Sequence, residues 1–252
     1  QATCGPGATD CGEWDYEAFL QLCTDAECSG NHEIGLWITP YSRPGIKRWI
    51  VDATPFLGLI QEGGERHIRF GMLWNMNPNT MTVKFRMSNT GVGMRPVAVI
   101  PLFQGGDFGA AYNDKYEPVA FSPPEGTKKV ELVTLLSGHG QTDGNNCAEW
   151  CNHVHTFSVN GADHVKSFPG EAGKPFGCAI RASEGVVPGQ YGNWAPSRAA
   201  WCPGLPVAPW RQDITQDVTI GAQNTITYAG SFQGGPPAGG RIRLSSYLVY
   251  YE

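Results

Sequence analysis

The chain has 252 residues, 41% of them apolar and 16% charged, which places it among folded globular proteins and excludes a disordered chain. Its net charge is −5 with no block of like charges, so nothing points to a nucleic-acid or anionic-membrane partner. No apolar run approaches the ~18 residues of a membrane span.

With 33 glycines and 19 prolines, the composition favours short strands joined by turns over helices. In chain order, strands are predicted over residues 16–23, 32–39, 48–52, 66–74 and 81–88. The last carries the alternation of a half-buried strand, Met81-Thr82-Val83-Lys84-Phe85-Arg86-Met87. The pattern breaks around Asn89-Thr90-Gly91-Val92-Gly93, and all five methionines lie before or at that break. A boundary there divides the chain into domains 1–93 and 94–252. Further strands are predicted over 96–103, 129–136, 153–159, 217–220, 224–232 and 241–251. Between residues 168 and 209 runs a stretch rich in Gly, Pro and Trp without strand signal; loops that long are usually functional or tied down. No helix, repeat or low-complexity tract is read. The expected fold class is all-β, as two adjacent β-sandwiches or jelly rolls.

Eight cysteines fall into the close pairs Cys4/Cys11, Cys23/Cys28, Cys147/Cys151 and Cys178/Cys202. An even count at short spacing predicts four disulfides and an oxidising compartment; the absence of a Cys-x-x-Cys pair weighs against zinc. A ring of about five residues adds only ~2 kcal/mol, so the expected use of the short bridges is to pin loops. The chain opens at Gln1 without a signal peptide, as a mature secreted or periplasmic protein would, and holds no Asn-x-Ser/Thr acceptor.

No Gly-x-Ser-x-Gly elbow is present and no free thiol is expected, so chemistry falls to carboxylates. Two acids stand beside a tryptophan and a pinned loop: Asp15 in Cys11-Gly12-Glu13-Trp14-Asp15, and Glu149 in Cys147-Ala148-Glu149-Trp150-Cys151. An apolar indole penalises ionisation and a rigid loop preorganises the group. The plain alternative is that both are surface loop acids, as most Asp and Glu are.

The run Asn146-Cys147-Ala148-Glu149-Trp150-Cys151 with His155-Thr156 resembles the hallmark of the peptide:N-glycosidase F family. So does the thirteen-residue run Gly192-Asn193-Trp194-Ala195-Pro196-Ser197-Arg198-Ala199-Ala200-Trp201-Cys202-Pro203-Gly204. Upstream, Cys11-Gly12-Glu13-Trp14-Asp15, Ile38-Thr39-Pro40-Tyr41, Arg48 and Asp52 stand in the family's order. The resemblance implies two adjacent antiparallel eight-stranded jelly rolls with the active site in the cleft between them. It implies an amidase that releases N-linked glycans from asparagine of a glycoprotein or glycopeptide, working as a monomer without cofactor or metal. Carried over by position, Asp15, Glu149 and Arg198 are the catalytic group. Trp14, Trp74, His139, Trp150 and Tyr41 are the expected substrate contacts. An aspartate near an arginine is expected to keep its charge, while a glutamate on an apolar loop holds a proton. Trp194 and Trp201 are expected to pack.

Three departures accompany the resemblance. Met72 stands where the family has a third acid, and His139 where it has a cleft tryptophan. The chain also begins close to the catalytic motif, so the first domain is expected to be reduced, or completed by a separately cleaved segment. His153 and His155 form a His-x-His pair on one strand face. Copper monooxygenases of this architecture use such a pair, but also a first-domain histidine cluster, where only His32 and His67 occur. A hydrogen-bonded core pair is therefore the expected reading. The rival from another class is a glycan-binding protein without turnover.

Overall fold

A computed structural model describes residues 2–4, 14–41, 46–73, 79–88, 93–140, 147–235, 237 and 239–252. Its strands are β1 Ala2–Cys4, β2 Glu17–Cys23, β3 Asn31–Ile38, β4 Ile68–Met72, β5 Asn79–Met81 and β6 Pro96–Asp107, followed by β7 Val119–Phe121, β8 Lys129–His139 and β9 Val154–Val159. Then come β10 Ala162–Ser167, β11 Trp210–Asp213, β12 Asn224–Ser231 and β13 Arg241–Tyr251. One α-helical turn, α1 Cys147–Trp150, and five short 3-10 segments interrupt them among the described residues. The fold is all-β, and every strand pairing among the described residues is antiparallel.

Strands β6–β13 build two four-stranded sheets, β11-β8-β13-β6 and β10-β9-β12-β7. Alternate residues of β9 and β12 are buried, as one-sided sheets require, and Phe157, Val159, Ile226 and Tyr228 face Leu132, Leu136 and Leu248 across a common core. β8 and β13 behave differently: nearly every residue is buried, so both their faces are covered. The cover on the second face is the sheet β3-β2-β4 of the first segment. There Ala18, Leu20, Ile34 and Trp37 pack with Val133, Tyr247 and Val249, while Leu36 and Ile38 pack with Leu135, Trp201 and Val207. The result is three stacked layers with β8 and β13 in the middle.

Among the described residues the first segment supplies five strands against eight in the second. The strand expected over 81–88 ends at Met81, and Val83, Phe85 and Met87 are exposed. Alternation specifies which face would be buried, not that a core exists to receive it. Residues 48–52 and 217–220 form no strand either. Conversely, β7, β10 and β11 are short or polar edge strands that apolar periodicity cannot register. As expected, no strand lies between residues 168 and 209.

Disulfides join Cys23–Cys28, Cys147–Cys151 and Cys178–Cys202, which fits an oxidising compartment; the pairing Cys4–Cys11 lies outside the described residues. No described helix is long and apolar enough to cross a membrane. Peptide mapping without reduction is expected to recover these three pairs, with Cys4–Cys11 as the fourth from its spacing. A crossed pair would contradict the loop arrangement.

Candidate active site

Glu149 sits on α1, a single turn closed by Cys147–Cys151 and lying directly on β8. The contact needs glycine at position 138, because a Cβ there would collide with the Ala148 carbonyl oxygen. The Glu149 backbone carbonyl accepts from Ala199 N at 2.9 Å, coupling α1 to the segment that carries Arg198.

Arg198 is fully buried. Its Nε donates to Glu149 Oε1 at 3.4 Å, its Nη1 to the Pro196 carbonyl at 2.8 Å and its Nη2 to Tyr41 Oη at 2.8 Å. The guanidinium plane lies 4.4 Å from the Trp150 ring and 4.7 Å from the Trp201 ring, so two indoles shield it. Glu149 Oε2 accepts from the Gly140 backbone N–H at 3.1 Å.

Tyr41 follows β3 and brings in the first segment. Burial pushes its phenol far up, so it stays protonated, donating to Asp15 while accepting from Arg198. Asn193 adds a second donor to that phenol oxygen at 3.3 Å. The chain around Asp15 is held by paired bonds between Tyr16 and Thr39, N to Oγ1 at 2.8 Å and N to carbonyl at 3.0 Å. Asp15 Oδ2 is buried and has no hydrogen-bond partner among the described residues.

The charge on Asp15 differs from the sequence expectation. Burial pushes its carboxyl up from 3.8 to about 7; Arg198 and Tyr41 oppose this, and the Glu149 carboxylate adds to it. An arginine nearby does not keep Asp15 in the ordinary carboxylate range, because desolvation outweighs the attraction. Burial also raises Glu149, against Arg198. Both acids therefore stand poised closer to neutral pH than ordinary carboxylates.

Of the expected substrate contacts, Trp14 is exposed beside Asp15, Trp150 covers Arg198, and Tyr41 is buried as the bridge. Trp74 lies outside the described residues. His139 requires correction: it is buried, stacked 5.2 Å from Trp201, bonded to Ser137 Oγ at 2.7 Å and 3.8 Å from Glu17. As the last residue of the middle strand β8 it lies beneath the site. Burial pulls its pKa down to about 4, so it is neutral at pH 7. Trp201 packs as expected but also stacks on Arg198, and the Gly140 N–H was not legible as a site group.

Met72 pairs with Ala18 and packs against the cluster of Ala18 and Leu20. Neighbouring residues of a strand face opposite ways, so Met72 and Ala18 lie on the face away from Glu17. The position of a third acid is thus an apolar one here.

The His153–His155 pair is spent internally. His153 Nε2 bonds the Ala148 carbonyl at 2.8 Å, and His153 Nδ1 meets His155 Nε2 at 2.6 Å. His155 Nδ1 meets Tyr228 Oη at 2.7 Å, and Tyr228 meets Tyr112 at 2.8 Å. Burial lowers His153 to about 4 and His155 well below its usual value, so both are neutral. A carbonyl only accepts, so the protons must run one way, from Tyr112 to Ala148, with all four ring nitrogens committed. No group of three or more His, Cys, Asp or Glu among the described residues suits a metal ion.

Two outcomes follow from this geometry. Met72→Glu is expected to cost roughly 1–3 kcal/mol of stability without raising any rate, because it places a carboxylate among apolar groups; a stable, faster variant would contradict the placement. Because the pKa of Asp15 is raised in the fold, its folded state holds a proton that the unfolded chain releases between 3.8 and about 7. Stability from this group is therefore full at low pH and is lost as pH rises through about 7. Thermal melts should show the wild type falling by up to a few kcal/mol across this window relative to Asp15→Asn. Parallel curves would contradict it.

Residues 107–249 match the family described as peptide-N-glycosidase F, C terminal. The peptide-N(4)-(N-acetyl-beta-D-glucosaminyl)asparagine amidase F of Elizabethkingia miricola is 30% identical over 240 residues, covering 88% of this chain and 64% of that protein. The chain thus spans less than two-thirds of that curated relative. A crystal structure of peptide-N(4)-(N-acetyl-beta-D-glucosaminyl) asparagine amidase has a TM-score of 0.71 at 23% identity, covering 100% of this chain and 83% of the other. PNGase F, a glycosylasparaginase from Flavobacterium meningosepticum, has a TM-score of 0.67 at 22% identity, covering 99% and 82%. At these identities the superpositions speak for fold alone. Matched to the family model over more than half its length, the chain belongs to the peptide-N-glycosidase F family.

Proposed function

We propose that this chain is a hydrolase that cleaves the amide linkage between an N-glycan and the asparagine side chain of a glycoprotein or glycopeptide. It would act in a secreted or periplasmic setting, as a monomer, between domains 1–93 and 94–252. The observation that carries this reading is the acid pair: Asp15 from the first segment and Glu149 from the second meet through Arg198 and Tyr41, and Asp15 is pushed up to about 7. A glycan-binding surface has no use for a buried carboxyl with an unpartnered oxygen at such a pKa.

Hydrolysis adds the hydroxyl of water to the side-chain carbonyl carbon, breaks the C–N bond and gives the remaining proton to the departing glycosylamine nitrogen. A single group with a pKa near 7 can serve both transfers. Asp15, through Oδ2, takes the proton of the attacking water and returns it to the nitrogen. Arg198 holds Glu149 in place, and burial keeps the Asp15 pKa high, with the Glu149 carboxylate adding to it. Trp14 and Trp150 offer ring faces to the apolar side of a sugar.

The test is glycan release from a glycopeptide. Asp15→Asn is expected to lower kcat/KM about a thousandfold with the fold intact, since the amide cannot accept a proton. The wild-type kcat/KM should rise with pH along a limb with an apparent pKa near 7, belonging to the pair. A variant that keeps more than about a tenth of the activity would overturn the assignment, and absence of release by the wild type would favour the glycan-binding alternative.

A further inference from the structure

A cavity of about 300 Å³ opens where β3-β2-β4 meets the end of β6 and the start of β13. One wall presents Gln21 and Asn31 with Arg69; the other presents Gln104 and Arg243, and Phe19 supplies the apolar floor. Gly71, Gly105 and Gly106 line it with backbone, and a Cβ at Gly71 would strike the Phe19 ring and one at Gly105 the Ile242 carbonyl.

The chemistry of these groups is specific. Arg243 lies 4.3 Å over the Phe19 ring and is ion-paired with buried Glu33 and, at 3.6 Å, with Glu17. Arg241 is bonded to Glu17 at 2.6 Å. Both guanidiniums of β13 are thereby matched within the wall, which disfavours a phosphate or sulfate. Arg69 Nε donates to Gln21 Oε1 at 2.8 Å, holding the Gln21 amide in place with its N–H donors still available. The side-chain amides of Asn31 and Gln104 have no partner among the described residues. Planar groups that both donate and accept, arranged around a small apolar floor with Gln21 held by Arg69, match the hydroxyls and ring carbons of a sugar.

Its position relates it to the acid pair. Phe19 and Gln21, on β2, lie four and six residues beyond Asp15 in the chain, at most ~13–20 Å at the rise of extended backbone. We infer that this pocket is a non-catalytic subsite for an outer, neutral sugar unit of the glycan whose innermost residue is held at Asp15. The inference rests on the proposed action on N-glycans. The subsite would tether the branch, lowering KM without touching the amide.

Calorimetry with a free mannose oligosaccharide lacking N-acetylglucosamine tests it on the whole chain. The wild type is expected to bind; the double variant Asn31→Ala, Gln104→Ala, both outside the apolar clusters and checked for an unchanged Tm, is expected to bind at least tenfold more weakly. On a glycopeptide bearing a full glycan the double variant should raise KM several-fold with kcat held. Equal affinity in both proteins, or binding confined to a sialylated oligosaccharide, overturns the subsite. Calorimetry needs no turnover. Binding that depends on Asn31 and Gln104 in a protein that releases no glycan would keep the subsite and sink the amidase reading. Release with no such dependence would do the reverse.

Discussion

A guanidinium removed from water must have its donors met, or the burial costs several kcal/mol. Arg198 is in that position, with no exposed surface at all. Its partners come from three pieces of chain: Glu149 on the pinned turn α1, the carbonyl of Pro196, and Tyr41 beyond the end of β3. Satisfying one side chain therefore draws the second segment's acid and the first segment's tyrosine to one point, and Tyr41 in turn carries Asp15. The same dryness that makes Arg198 demanding leaves Asp15 with a raised pKa. Positioning and acidity in this site have one physical source.

That arrangement requires the first segment to dock at a fixed angle on the second. The contact includes an apolar cluster in which Tyr247, Val249 and Val133 join Ala18 and Leu20. Ion clusters close both ends. Glu17 and Glu33 meet Arg241 and Arg243 near the site, while Asp52 meets Arg211, which also binds Glu131, at the far end. Buried pairs of this kind contribute little net stability but penalise any other register. A slip of one residue along β2 would exchange Glu17 for Ala18 and strand two arginines.

Much of this was legible from alternation and composition. β2, β3, β6, β8, β9, β12 and β13 stand where apolar runs predicted them, and the pinned turn around Glu149 follows from its cysteine spacing. What escaped has identifiable reasons. β10 is Ala-Asp-His-Val-Lys-Ser, too polar for a periodicity argument, yet Asn160-Gly161 before it has φ of 50° and 91° and is the two-residue hairpin turn that announces it. The stretch 82–88 alternates without a core to bury into. His139 reads as a cleft residue by position, but the second covered face of β8 buries it. The raised pKa of Asp15 depends on contacts ~130 to 180 residues away, and no local pattern encodes that balance of burial against charge.

The shared, dry environment of the two acids is the central feature of the site. Carbon-13 NMR titration of the Asp15 carboxyl measures it most directly, in the wild type and in Glu149→Gln. The wild-type midpoint is expected near the value of about 7 set by burial, and removing the Glu149 charge should lower it. A midpoint near 3.8, or one that does not move when the Glu149 charge is removed, would contradict the joining of the two segments at this site.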